Sequence, residues 1–323
     1  MLPYSRRWLS FCGGLLAILL VNHAGLEVLH RQLPTNRAQE MLDAPAGDFD
    51  VVVLGSSASV EAIDAEELEQ QLNVSVRHLG ARGTAYPEQH LILDLFLNQN
   101  RAKTLLFQVD SWGLSSTSYS HPFHEYFYLP FLDHPIIRRG LREYYGDGVV
   151  RRWAWVPMFK YAEFNSEMGT QAILKAWRAS KNVRDKPRYV RSKRSLPEAL
   201  IQRVRQGGMR PERDRDRTRQ AYFERIVQLA QQRGMRVVFC VAPVFGARQE
   251  RAIGADDEVL EFYRQYARER GIAIYEWGAS DCDDPTLFAD LSHLNAHGAE
   301  RFTDGLAQCL RMDGRGSATG VAE

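Results

Sequence analysis

The sequence predicts an α/β fold: a flavodoxin-like three-layer sandwich around a parallel five-stranded sheet, preceded by an N-terminal membrane helix. Three observations predict it. Short apolar runs such as Val51-Val52-Val53-Leu54 stop at glycine or at polar turns, which suits parallel strands covered on both faces. These runs alternate with stretches of helical periodicity. The first apolar run of the chain, from Trp8 to Val21, directly follows Arg6 and Arg7, the order of a charged n-region and an apolar h-region.

Taken in order, residues 1–24 read first as an uncleaved signal anchor. The Trp8 to Val21 run is short against the roughly 20 apolar residues of a membrane span. Asn22-His23-Ala24 makes a poor cleavage site, which ranks the anchor ahead of a cleaved signal peptide and of a buried N-terminal helix. The positive-inside tendency keeps Arg6 and Arg7 in the cytoplasm, giving a single-pass protein of the inner (cytoplasmic) membrane with its main domain in the periplasm. Residues 25–48 read as a stalk ending in Ala44-Pro45-Ala46-Gly47.

The globular domain spans 49–312. Its first strand is Val51 to Leu54. Asp64 is placed to cap a helix reaching Leu72, with Glu67 three residues on as its capping-box partner. Val74 to Leu79 is a second strand. Pro87 to Leu97 is a helix with proline in its first turn, and Thr104 to Val109 is a third strand. The rhythm resumes with a helix from Arg219 to Arg233 that stops at Gly234, a strand from Arg236 to Ala242, and a helix from Asp256 to Arg270 that stops at Gly271. A fifth strand, Ile272 to Glu276, and a last helix, Ala296 to Leu310, complete the pattern. The Gly/Ser/Ala-rich tail 313–323 reads as disordered. Residues 113–215 break the rhythm and form an insertion between the third and fourth strands. It is first aromatic, from Tyr119 to Trp155, which points to core packing before a carbohydrate or acyl-chain surface. It is then basic, with fifteen Arg/Lys against five Asp/Glu from Arg178 to Arg219. That run reads as a solvated face or as a site for anionic polymer or lipid headgroups.

Composition narrows the function classes. Of 323 residues, 45% are hydrophobic and 25% charged, and the formal net charge of +1 singles out no partner. No Walker A loop, GxGxxG fingerprint or zinc-ligand spacing is present, so no cofactor and no metal are expected, and an exported chain does not suggest nucleic acid. The four cysteines, Cys12, Cys240, Cys282 and Cys309, include no CxxC pair; for Cys282 and Cys309 a disulfide and two free thiols both fit.

In an open α/β sheet, ligands bind beyond the carboxyl ends of the strands. Five segments fall there: Gly55-Ser56-Ser57, Gly80-Ala81-Arg82-Gly83-Thr84, Asp110-Ser111-Trp112, Pro243, and Asp290-Leu291-Ser292-His293-Leu294-Asn295. A serine, a glycine turn, an acid and a histidine converge on one rim. A serine hydroxyl is a poor nucleophile until a base takes its proton. His293 is the candidate base for Ser57, with Ser56 and Ser59 as competing serines, and Asp290 is the candidate that orients the imidazole.

Two blocks resemble SGNH (GDSL-like) hydrolases: VVVLGSSAS, where that family places its nucleophilic serine, and DLSHLNAHGAERF, where it places Asp and His three residues apart. The second block is similar to the membrane-anchored, DltD-like members that accompany membrane-bound O-acyltransferases. The resemblance covers roughly residues 50–112 and 219–310. It implies an esterase or O-acyltransferase acting through an acyl-serine on acyl (acetyl first) esters of an extracytoplasmic polysaccharide or other cell-envelope polymer. A membrane-bound O-acyltransferase is the implied partner, and a non-catalytic SGNH-fold binding partner is the alternative. Ser57, Asp290 and His293 match the family's triad, and the N–H groups of Ser57 and Gly83 match its oxyanion donors. Two blocks depart. The usual Gly-Asp-Ser reads Gly55-Ser56-Ser57, and Asp110-Ser111-Trp112 stands where G-x-N-D is usual. Asp110 is therefore a candidate on the substrate side. Asn295 reads first as ordering its turn and second as a substrate contact.

Overall fold

The computed structural model describes residues 3–33, 37–43, 46–110, 112–114, 123–181, 192–205, 216–246 and 257–313. In chain order these form α1 (Pro3–Arg31), α2 (Arg37–Asp43), β1 (Asp48–Leu54), α3 (Ser57–Ala62), α4 (Ala65–Leu72), β2 (Val76–His78), α5 (Tyr86–Gln99) and β3 (Arg101–Val109). The insertion contributes α6 (Glu125–Tyr128), α7 (Pro135–Tyr145), α8 (Asp147–Trp155), α9 (Phe159–Glu163), α10 (Asn165–Met168), α11 (Thr170–Lys181) and α12 (Glu198–Arg205). Then follow α13 (Arg217–Gln232), β4 (Arg236–Val241), α14 (Asp257–Arg270), β5 (Ala273–Tyr275), α15 (Ala279–Cys282) and α16 (Ala296–Asp313). Two compact units emerge, one of residues 46–123 with 189–323 and the other of residues 1–45 with 124–188.

The first unit is an α/β sandwich. Its five strands are all parallel in the order β2-β1-β3-β4-β5, the expected doubly wound arrangement. Side chains alternate across each strand, so each face has its own core. Val51, Val53, Leu106, Val238 and Cys240 pack with Leu68, Phe302, Leu306 and Leu310 of α4 and α16. Leu196, Ile201 and Val204 join that cluster, so the end of the predicted insertion belongs to the sandwich. On the other face Phe107 and Phe239 meet Phe223 of α13, which also touches Tyr86 of α5 and Phe262, Tyr263 and Tyr266 of α14. Gly234 at φ +73 and Gly271 at φ +62 end α13 and α14, in the left-handed region where glycine carries no Cβ penalty.

The second unit is helical. Phe131, Ile137, Leu141, Trp153, Tyr161 and Met168 are buried in it, so much of the described aromatic stretch is core, whereas Trp155 is 79% exposed. Helix α1 is longer than the apolar run implies. It continues to Arg31, and the span from Arg7 is long and apolar enough to cross a membrane. Its last turns carry polar groups that find partners within this unit: Lys160 Nζ and Tyr161 OH donate to Glu27 Oε2 at 2.5 and 2.7 Å, and Arg31 pairs with Asp133 at 2.8 Å.

The four cysteines form no disulfide in the structure. Much of the basic run lies outside the described residues, as do Tyr119, Ser111 and the tail from 314.

Candidate active site

The serine turn is built by close packing at the end of β1. Gly55 sits against β3: a Cβ there would lie 2.6 Å from Gln108 Oε1 and 2.8 Å from Ser59 Cβ, inside any real contact. Ser56 is the N-cap of α3, its Oγ accepting from Ala58 N at 3.3 Å. It is also tied to β3. Ser56 N donates to Gln108 Oε1 at 2.9 Å, and its hydroxyl lies 3.2 Å from both Gln108 Oε1 and Asp110 Oδ2. Ser59 is fully buried and donates to Ser56 O at 2.8 Å. Of the three serines, the two rivals are held inward by the fold. Ser57, the first residue of α3, is left facing outward, with its N–H ahead of the helix's own hydrogen-bond ladder.

Ser57 Oγ lies 2.9 Å from His293 Nε2. The other ring nitrogen, Nδ1, is 2.9 Å from Asp290 Oδ2 and 3.0 Å from Oδ1. Asp290 is ordered in turn by Ser292, whose N and Oγ donate to Oδ1 at 2.8 and 3.1 Å. Residues 236 positions apart thus form one hydrogen-bonded line of serine, imidazole and carboxylate. Burial disfavours the imidazolium, but the hydrogen bond and charge of Asp290, with the charge of Glu61, outweigh burial and the opposing charge of Arg82; the His293 pKa is raised above 6.5. Burial likewise opposes ionisation of Asp290, yet the donors His293 and Ser292 hold its pKa below the usual carboxylate value.

The loop that carries His293 is pinned on both sides. Ala289 N donates to His293 O at 2.9 Å, Phe288 and Leu294 form an antiparallel bridge, and Phe245 N beyond β4 donates to Leu291 O at 3.0 Å. Asn295 closes it. Its Oδ1 accepts from His297 N and Gly298 N at 3.0 Å, capping α16, while Nδ2 donates to Thr286 O at 2.6 Å. Asn295 is 2% exposed, and these bonds tie the turn to the start of α16.

Asp110 likewise has other work. Buried at 7% exposure, it accepts from Gln108 Nε2 and Gly113 N at 2.7 Å and meets the Ser56 hydroxyl. Its carboxylate thus braces the serine turn from behind, through Ser56. The expectation that it lies on the substrate side gives way for a physical reason: its oxygens are already taken by Gln108, Gly113 and Ser56. Gly83, at φ +74, stands in the loop after β2, which is laced to the serine turn through Ala81 N to Gly55 O at 3.0 Å. Arg82 of this loop pairs with Glu61 of α3.

The sequence reading missed Gln108, Ser292, Glu61 and Arg82. Ser292 was accessible from its place between the acid and the histidine. Gln108, inside an apolar strand, gave no local signal beyond being a polar residue there. Among the described residues no group of His, Cys, Asp and Glu could hold a metal ion.

No family model matches the chain, and no curated protein matches it. A solved structure of a candidate lipolytic protein of the G-D-S-L family, from Desulfitobacterium hafniense DCB-2, superposes with a TM-score of 0.42 at 10% identity, covering 80% of this chain and 98% of that one. At that level the likeness carries no argument, and the fold rests on the strand order and registers above.

Proposed function

We propose that this chain is a serine-dependent ester hydrolase or O-acyltransferase of the SGNH type, in which Ser57 is the nucleophile, His293 its general base and Asp290 the residue that orients the imidazole. One observation carries the reading: the continuous contact from Ser57 Oγ through His293 to Asp290, 2.9 Å on each side of the ring, at the carboxyl end of a parallel sheet.

In the proposed cycle His293 Nε2 takes the Ser57 proton as Oγ attacks the ester carbonyl. The N–H groups of Ser57 and Gly83 receive the developing oxyanion. The tetrahedral adduct collapses, the C–O bond to the alcohol breaks, and His293 returns its proton to the leaving alkoxide. The acyl-serine is then attacked by water or by an acceptor hydroxyl, whose proton passes to His293; release of the acid or the new ester restores Ser57. Asp290 keeps the Nδ1 proton in place and stabilises the imidazolium. With Asp110 turned to the serine turn and no G-x-N-D asparagine present, the oxyanion site has one donor fewer than the family pattern, a deficit of about 10²–10³ in rate.

The motif resemblance favours acyl esters, acetyl first, on an extracytoplasmic polysaccharide, with a membrane-bound O-acyltransferase as partner and the domain on the periplasmic side of α1. The test is covalent labelling of the full-length chain by a fluorophosphonate probe. Labelling of wild type that disappears in Ser57→Ala supports the enzyme. Labelling that persists in Ser57→Ala overturns the nucleophile, and a folded wild type that neither labels nor cleaves an aryl acetate turns the reading to a non-catalytic binding partner.

A further inference from the structure

Away from the serine, a second feature calls for a ligand. In the helical unit a cavity of about 230 Å³ is lined by His23, Glu27 and Arg31 of α1 and by Asp133, Arg138, Arg142, Arg151, Trp155 and Lys160. Its charges do not cancel. Arg31 pairs with Glu27 and Asp133, Lys160 with Glu27, and Arg142 and Arg151 share Asp147. Five cations therefore face three carboxylates. Arg138 is the surplus: its Nε donates to Leu132 O at 2.6 Å, and it has no carboxylate partner among the described residues. Arg31 Nε is buried without any hydrogen-bond partner, a costly state for a donor of a charged group.

The surroundings narrow the ligand. The cavity opens beside the last turns of α1, among the described residues the one helix apolar enough to cross a bilayer, whose residues 7–18 are exposed along their length. Trp155, 79% exposed on the rim, is the residue type that settles at the level of lipid headgroups. The volume falls below the roughly 300–1,000 Å³ of pockets that enclose a whole drug-sized ligand, and suits a headgroup rather than a sugar chain. Several guanidinium groups together match the planar, multidentate recognition of phosphate oxygens.

We infer that this juxtamembrane cavity binds a phosphate group, carried by an anionic lipid headgroup or by free phosphate. The site is separate from Ser57, so it stands or falls independently of the esterase reading. Arg138 supplies the uncompensated charge and Arg142 and Arg151 close around the anion as they loosen from Asp147.

The test uses the full-length chain in a neutral detergent, titrated with inorganic phosphate, with dioctanoyl phosphatidic acid and with uncharged dioctanoylglycerol, binding being read from tryptophan fluorescence and thermal shift. Saturable binding of a phosphate-bearing ligand, weakening as salt is raised, with none for dioctanoylglycerol, is the expected result. Tighter binding of phosphatidic acid than of phosphate assigns the lipid source, and equal affinities assign free phosphate. R138Q/R142Q should weaken binding at least tenfold and R138K/R142K much less. The exposed Arg151→Gln, expected to cost about threefold, serves if the double variant fails to fold. Failure of both phosphate ligands to saturate overturns the proposal. So does equally tight binding of dioctanoylglycerol, or undiminished binding by folded R138Q/R142Q or by Arg151→Gln.

Discussion

The two units bury their side chains by different rules. In the sandwich the strands are continuous apolar runs, both faces are covered by helices, and the chemistry-bearing polar groups gather in the loops that follow the strands. In the helical unit the polar end of α1 is fixed by groups that lie inside. Lys160 is 3% exposed and held by Glu27 and by Leu129 O, and His30 bonds Met168 O at 2.7 Å and stacks on Tyr161. Hydrophobic burial is non-directional and readable from composition, whereas a buried ion pair is worth having only when its exact partner arrives. The strands of the sandwich are therefore announced by the sequence, whereas the seat of α1 in the helical unit rests on pairings more than a hundred residues apart.

The sharpest way to break this contrast is at the rim. Ser57→Ala should abolish acyl-enzyme formation with the fold intact, because the hydroxyl adds no packing to the sheet; the checks are probe labelling and circular dichroism. Asp290→Asn should lower kcat/KM on an aryl acetate by about 10³–10⁴, by the loss of tautomer control. The base works only when neutral, so in wild type kcat/KM should fall as pH drops through the raised His293 pKa. In Asp290→Asn the carboxylate no longer raises that pKa, and the acid limb should move to lower pH in a pH–rate profile.

The polar interior is probed next. Lys160→Met removes a buried cation and leaves Glu27 with Tyr161 and Arg31, a cost of about 1–3 kcal/mol in denaturant unfolding. Labelling of Ser57 should be unchanged, since the lysine belongs to the other unit. Asn295→Ala should have the smallest effect, about 1–2 kcal/mol from the lost cap of α16 and the unpaired Thr286 carbonyl, seen as a thermal shift of a few degrees. A fall in activity larger than that destabilisation explains would return Asn295 to the substrate side.

The sandwich elements were legible because each rests on a local signal: Asp64 caps α4 by accepting from Glu66 N and Glu67 N, Pro87 opens α5, and Gly234 and Gly271 stop their helices. Boundaries moved where the signal was not local. Strand β1 starts at Asp48, three residues before the apolar run, because Asp48 and Phe49 pair with Arg101 and Ala102 of β3.

By itself the sequence determined the layered α/β architecture, the rim that gathers the serine turn with Asp290 and His293, and the apolar N-terminal helix, since all three follow from the order and period of apolar residues and from short motifs. Only the tertiary structure decided which of three neighbouring serines faces His293, that Asp110 braces the serine turn, and that α1 runs on to Arg31. Each of these depends on a partner distant in sequence: Gln108 for Ser56, the Ser56 hydroxyl for Asp110, and Lys160, Tyr161 and Asp133 for the polar end of α1. A buried polar group is stable only when its hydrogen bonds are met, and where the chain returns to meet them is a property of the fold.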